Sequence, residues 1–479
     1  MGKLDNVTPC RVFKYFEEIS AIPRGSGNMN AISSYCMDFA AKHQLKAMRD
    51  EADNVIIFKA GTKGYENAEP VILQGHLDMV CQKTEESTID FEKDELKLYV
   101  DGDFVKAEGT TLGADNGIAV AMIMAILESS DIPHPPIEAV FTTDEETGMI
   151  GAGKLSSDCL KGRKMINLDA EEPDTVTVSC AGGSDFRLNL LTSRTKSRGR
   201  RVDVIIKGLK GGHSGVEINS GRINANILAG RILNYAKNVT DFEIISIDGG
   251  DKGNAIPVSC TMQLVVQESS RFMTKMTEYF EVIKAEYADR EDFIILAEEL
   301  DEGEFDVIGS EAKQSLLYLL MSVPNGVQEM SMSVSGLVET SLNLGILKTF
   351  DDKITLLFTL RSNKQSALLF LEEKMKVICS VTGGEIETSG HYPPWEYNDK
   401  SELKKMYMDV FKEKFGYEPT VAAIHAGLEC GVFSAKIPGL DCIAIGPQLS
   451  DVHTVNERCS ISSTKDIYEL LLNLLKNCK

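Results

Sequence analysis

The stretch Ile137–Gly148, "IEAVFTTDEETG", decides how the rest of this chain is read. It opens as a short, mostly apolar run of the kind that forms a buried strand. Three carboxylates then follow in a row, Asp144, Glu145 and Glu146. Ionised carboxylates are costly to bury. A core strand that ends on three of them is either leaving the fold through a solvated turn or delivering them to a shared task. The stretch alone leaves both readings open, and its neighbours decide between them.

Working outward, "NVIIFKAG", "PVILQGHLDMV" and "KMINLDAEE" are further short β-rich runs ending in polar residues, and "GIAVAMIMAILESS" is a strongly apolar helix. Strands alternating with helices predict an α/β domain, a mainly parallel sheet flanked by helices. Near Gly182 the texture changes. "SDFRLNLLTS", "RVDVIIKG", "FEIISIDGG" and "SCTMQLVVQ" alternate at period two, with helices between them, and this α+β character continues to about Ser389. After "HYPPWEYN" the α/β pattern returns. The expected organisation is a catalytic domain in two parts, residues 1–182 and 390–479, with an inserted α+β lid domain at 183–389. Both halves of the insert read as helix, strand pair, helix, strand, which suggests an internally duplicated lid. The basic run "RTKSRGRR" (Arg194 to Arg201) reads as a solvated loop, and "GHYPPW" around His391 as a crossover.

At 479 residues the chain is too long for one simple core, and 43% hydrophobic with 25% charged residues is a globular composition. The formal net charge of −22 argues against nonspecific binding to nucleic acid or to an anionic membrane. No apolar run is long enough to span a bilayer, and the N-terminal residues lack the apolar core of a signal peptide. The eleven cysteines, without close C-x-x-C pairs, read as reduced thiols. A cytoplasmic protein is expected.

Ligand sites in parallel α/β sheets collect at the carboxyl ends of strands. There this chain places His76 and Asp78, Glu145 and Glu146, and Asp169. Asp115 in "LGADNG" stands at the mouth of the apolar helix, and His453 in "SDVHTVNE" follows the strand "CIAIGP". Two histidines with several carboxylates suit a borderline divalent metal, Zn²⁺ with Co²⁺ or Mn²⁺ as substitutes. The carboxylates outnumber the needs of one ion, which points to two ions sharing a bridge. Any one of these features alone is more often structural than metallic.

The motifs "GHLDMV", "LGADNGIAVA", "TTDEETGMIGA", "NLDAEE" and "DVHTVNE" together resemble the motif set of the co-catalytic zinc exopeptidases related to aminoacylase, carboxypeptidase G and carnosinase. The resemblance covers essentially the whole chain. It implies that Asp115 bridges two metals, that His76 and Asp169 complete one site, and that Glu146 and His453 complete the other. Asp78 would accept a hydrogen bond from His76 and fix its tautomer. Glu145 would be the general base, taking a proton from a metal-bridging water and passing it to the leaving amine.

In the insert, the resemblance implies that His213 of "GLKGGHSG" stabilises the tetrahedral oxyanion, and Asn254 of "KGNAIP" is a candidate for handling the substrate. Arg361 of "FTLRSN" suits a substrate C-terminal carboxylate. Glu429 of "IHAGLECG" is a candidate for the substrate ammonium, with pairing to a surface lysine as the alternative. Asp144 has no assigned role and reads as solvated or as helping to shape the turn.

The implied activity is hydrolysis of small dipeptides, of the Xaa-His type, by a monomer or homodimer. The alternatives are an N-acyl-amino-acid deacylase or tripeptidase with the same metal centre, and an inactive binding relic. "GGHSGV" does not make the G-x-S-x-G of a serine hydrolase, since Val216 stands where glycine is required. "RGSGNMN" opens no dinucleotide-binding turn.

Overall fold

The structure, a computed structural model, describes residues 2–479. They form two compact units. The first contains the chain up to Cys180 together with Tyr397–Ala423 and Leu428–Lys479, and the second contains Ala181–Glu396 with Ile424–Gly427.

The first unit is built on an eight-stranded sheet in the order Lys46–Arg49, Val55–Lys59, Ile137–Thr142, Val71–His76, Lys164–Asn167, Asp441–Ala444, Thr175–Cys180, Thr420–Ile424. Parallel pairing belongs to four adjacent strands, from Ile137–Thr142 to Asp441–Ala444. Beyond them, Val55–Lys59 and Thr175–Cys180 pair antiparallel. The strands Ile137–Thr142 and Val71–His76 are buried at every position, which is why they read as near-continuous apolar runs. The helix Ala114–Glu128 is apolar all round because it is buried all round, packed on both the strand Val71–His76 and the helix Cys10–Ser20.

The second unit has a nine-stranded sheet with helices against it. One quartet is Ile294–Ile308, Arg194–Lys207, Cys260–Val266 and Phe242–Gly249; the other is Val338–Thr349, Lys353–Ser362, Gly182–Leu191 and Glu385–Tyr392; the ninth strand, Gly326–Met330, pairs with Val338–Thr349 alone. The quartets join through the pair Gly249 and Leu347. The doubled texture of the sequence corresponds to these quartets, although not as a clean tandem. Gly182–Leu191, from the start of the insert, pairs with Lys353–Ser362 near its end.

Two local expectations are corrected. The basic run is not a loop but lies in the strand Arg194–Lys207, whose partner Ile294–Ile308 is acidic. Arg198 faces Glu304 across the ladder, and Lys196 meets Asp306 at 2.8 Å. Opposite charges directly across an antiparallel pair favour the pairing, so a run that looks too polar for a strand becomes one beside its complement. His391 lies in the edge strand Glu385–Tyr392 rather than in a crossover.

Candidate metal centre

Because the four central strands run in one direction, their carboxyl ends share one edge of the sheet. The register aligns them, with His76 opposite Thr142 and Gln74 opposite Asn167. Glu145 and Glu146 follow Thr142 in a turn, and Asp169 lies two residues past Asn167. Asp115 stands at the head of Ala114–Glu128 with a non-helical backbone (φ −77°, ψ 106°), so its carboxylate escapes the helix line. His453 sits at φ 62° in the loop after Leu449–Ser450. Asn116 ties the helix head to two strands, accepting from the His76 amide (3.2 Å) and donating to the Leu168 carbonyl (2.9 Å).

The five expected ligands converge. Oδ1 of Asp115 lies 3.1 Å from Nε2 of His76, and Oδ2 lies 3.1 Å from Nε2 of His453. Nε2 of His76 is also 3.6 Å from Asp169 Oδ1, and Nε2 of His453 is 3.0 Å from Glu146. Two sets, His76 with Asp169 and His453 with Glu146, therefore share Asp115, one oxygen each. Behind His76, Asp78 is fully buried. Its Oδ1 lies 3.3 Å from His76 Nδ1 and accepts the Glu145 amide at 3.0 Å, while Oδ2 accepts the Glu146 amide at 3.2 Å and the Ser26 hydroxyl at 2.8 Å. Asp144 shapes the turn, at φ 51°, with Oδ1 accepting from the Gly27 amide at 2.6 Å.

The charge balance of this cluster is that of a cation site. Burial pushes Glu145 well above the usual carboxylate range; His76 opposes the shift, while Asp169, Glu429 and Glu146 add to it. Burial likewise raises Glu146 and Asp169. Hydrogen bonds to Asp115 and then Glu146 hold the His453 imidazolium up to about 11. For His76, burial disfavours the proton, yet Asp169, Asp115 and Asp78 outweigh it and raise the group well above its ordinary value. The protons on the two histidines thus compensate a surplus of buried negative charge. A divalent cation in each set would take that role, with neutral imidazole and carboxylate as ligands. The nitrogen and oxygen donor set fits Zn²⁺ and its Co²⁺ and Mn²⁺ substitutes.

Glu429 is fully buried, which removes the surface-lysine alternative. Its Oε2 accepts from Gln74 Nε2 (2.5 Å) and Thr142 Oγ1 (2.7 Å), and Gln74 in turn accepts from Asn167 Nδ2 (2.5 Å). Oε1 is buried with no protein partner among the described residues, and burial lifts the group to about 7. Sequence reading passed over Gln74, Thr142 and Asn167. Their signal was present as polar side chains inside otherwise apolar strands, which must find partners.

The second unit carries its own polar cluster. Gly212–His213 pairs with Ala255–Ile256, and Asn254, whose carbonyl accepts the Ser214 amide at 2.9 Å, stands beside His213. Nδ1 of His213 accepts the amides of Gly215 (3.1 Å) and Val216 (3.2 Å), so the ring proton sits on Nε2. Burial and then the nearby Arg361 lower the His213 pKa, which keeps the ring neutral. Nη1 of Arg361 donates to the Tyr392 hydroxyl at 2.7 Å, while its Nε is buried with no partner among the described residues. His425 is buried between Ser341 (2.7 Å at Nε2) and Asn363 (3.1 Å at Nδ1); burial and then Arg361 push it down to about 3.

Comparison with known proteins follows the same lines. The sequence pattern described as peptidase family M20/M25/M40 matches residues 72–477. The cytosol non-specific dipeptidase of Escherichia coli (strain K12) is 34% identical over 480 residues, covering 99% of each chain. The crystal structure of aminoacylhistidine dipeptidase from Vibrio alginolyticus superposes with a TM-score of 0.91 at 36% identity, covering 99% of this chain and 97% of that one. Human carnosine dipeptidase 1, with a TM-score of 0.51 at 14% identity over 98% of this chain and 95% of that one, shares the fold.

Proposed function

This chain belongs to peptidase family M20/M25/M40, and on that footing we propose that it is a two-metal dipeptidase that acts on Xaa-His dipeptides. The observation that carries this reading is the divided carboxylate of Asp115, with one oxygen facing His76 and the other His453, each at 3.1 Å. His76, Asp169 and Asp115 would hold one divalent ion, and His453, Glu146 and Asp115 the other. Two adjacent divalent ions supply an acidified water and a polarised peptide carbonyl.

The protein's own residues do the rest. Glu145 takes the proton of the attacking water and returns it to the leaving amine. Asp78 sets the Glu145 amide and the His76 ring at once. His213, neutral and protonated at Nε2, donates to the developing oxyanion. Arg361, steadied by Tyr392, grips the substrate α-carboxylate, and Asn254 lines the same site. Glu429 receives the substrate ammonium at its unpartnered Oε1.

The related proteins bear two different names, one non-specific and one aminoacylhistidine, so substrate breadth is the property to measure. The test is a panel of Xaa-His dipeptides, other dipeptides, tripeptides and N-acyl amino acids, run with Zn²⁺, Co²⁺ and Mn²⁺. Fastest turnover on Xaa-His dipeptides is expected. Faster hydrolysis of N-acyl amino acids or tripeptides would overturn the dipeptidase reading.

A further inference from the structure

The loop Leu112–Asp115 is gripped from two sides by residues to which the proposed chemistry gives no part. Glu457, four residues past His453, is buried. Its Oε2 accepts the amides of Leu112 (2.8 Å) and Gly113 (2.9 Å), and its Oε1 those of Ala114 (2.8 Å) and Asp115 (3.3 Å). Arg24, equally buried, donates through Nη2 to the Gly113 carbonyl and through Nη1 to the carbonyls of Leu77 (3.0 Å) and Asp78 (3.3 Å). Gly113 and Gly117 leave the space for it, since a Cβ on either would stand 2.5 or 2.6 Å from Arg24 Nη2.

The opening amides of a helix need acceptors. A serine or asparagine cap would meet one or two of them without adding negative charge beside a site already rich in it. The Glu457 carboxylate meets the amides of Ala114 and Asp115 at the helix head and those of Leu112 and Gly113 just before it, and it is tied by the chain to the loop that carries His453.

We propose that Glu457, with Arg24 as its counter-charge, is a positioning residue that fixes Asp115 as the bridge between the two metals. It touches no reacting atom. By locking the Asp115 backbone to the His453 loop, it sets the two histidines one on each oxygen of the bridging carboxylate. This rests on Asp115 being the shared ligand of a two-metal centre.

The experiment compares the metal-loaded wild type with Glu457→Gln and Glu138→Gln, each competed against a chromophoric chelator for Zn²⁺ and examined in its Co²⁺ form by visible absorption. Glu138 is the control because its buried carboxylate also clasps backbone amides, those of Lys161 (2.9 Å) and Gly162 (3.0 Å), at the start of its strand and away from the centre. Glu457→Gln is expected to lose about 10–100-fold in affinity for at least one ion and to alter the Co²⁺ spectrum, while Glu138→Gln binds as the wild type does. Unchanged affinity and spectrum in Glu457→Gln would overturn the proposal. Equal weakening in both variants would also overturn it, because the loss would then come from general loosening. If Glu457→Gln does not fold, Glu457→Asp, which keeps the charge one methylene short, is read by the same criteria. A wild type that binds no metal would instead sink the metal-centre reading on which this one stands.

Discussion

Asp78 accepts the amides of Glu145 and Glu146 on separate oxygens. Glu146 reaches His453 at 3.0 Å, while Glu145 lies among the acidic groups without joining that pair. Glu145→Gln should therefore leave metal content near that of the wild type and lower kcat by about 10²–10⁴, the scale of a lost general base. Glu146→Gln should instead lower metal content. Steady-state kinetics with metal analysis checks both, and near-normal turnover of Glu145→Gln at saturating Zn²⁺ would take the base role from it. Arg361 gives a second expectation. If it holds the substrate α-carboxylate, amidating the C-terminus of a good dipeptide should cut kcat/KM by about 10–100-fold, the scale of a lost charge-assisted hydrogen bond. Equal rates on acid and amide would exclude that contact. At this scale the site was legible wherever a residue sat at a strand end beside others of its kind, as with His76, Asp169 and Glu146. Glu457 and Arg24 were not legible, because an acid in a polar loop and an arginine in a glycine-rich turn look like surface residues until the fold buries them.

Among the elements, the strand Val71–His76 and the helix Ala114–Glu128 set the precision of the site. Gly75 is where they meet. A Cβ there would lie 2.5 Å from Asn116 Oδ1 and 3.2 Å from Ala119 Cβ, and Asn116 is the residue that binds the His76 amide. Gly75→Ala should cost about 1–3 kcal/mol through overpacking, read as a lower melting temperature, and should weaken metal binding because His76 is the next residue. An unchanged melting temperature would contradict this account of the contact. The central strands were readable as short, near-continuous apolar runs ending in polar residues, because they are buried on both faces. The strand Arg194–Lys207 was not, for a physical reason. Its pairing depends on an acidic strand about a hundred residues further along the chain, and local pattern carries no information about a distant complement. The exposed pairs along that ribbon contribute little stability individually. They select a partner.

For the whole molecule, the net charge of −22 and the surplus of buried carboxylates have one consequence in common. Removing bound divalent ions should lower the melting temperature, because ligands that bind only the native state stabilise it, and adding Zn²⁺ back should restore it. A chelator-treated protein that melts unchanged would speak against buried metal ligands. No helix among the described residues is long and apolar enough to cross a membrane. The central claim is that this chain is a two-metal dipeptidase in which Asp115 would be the ligand shared by both ions. The most direct measurement strips the protein with chelator and then follows the rate of hydrolysis of an Xaa-His dipeptide as Zn²⁺ is added in fractions of an equivalent. The account predicts a rate near zero without metal that rises to a plateau at two equivalents per chain. Full activity in the stripped protein, or a plateau at one equivalent, would contradict it.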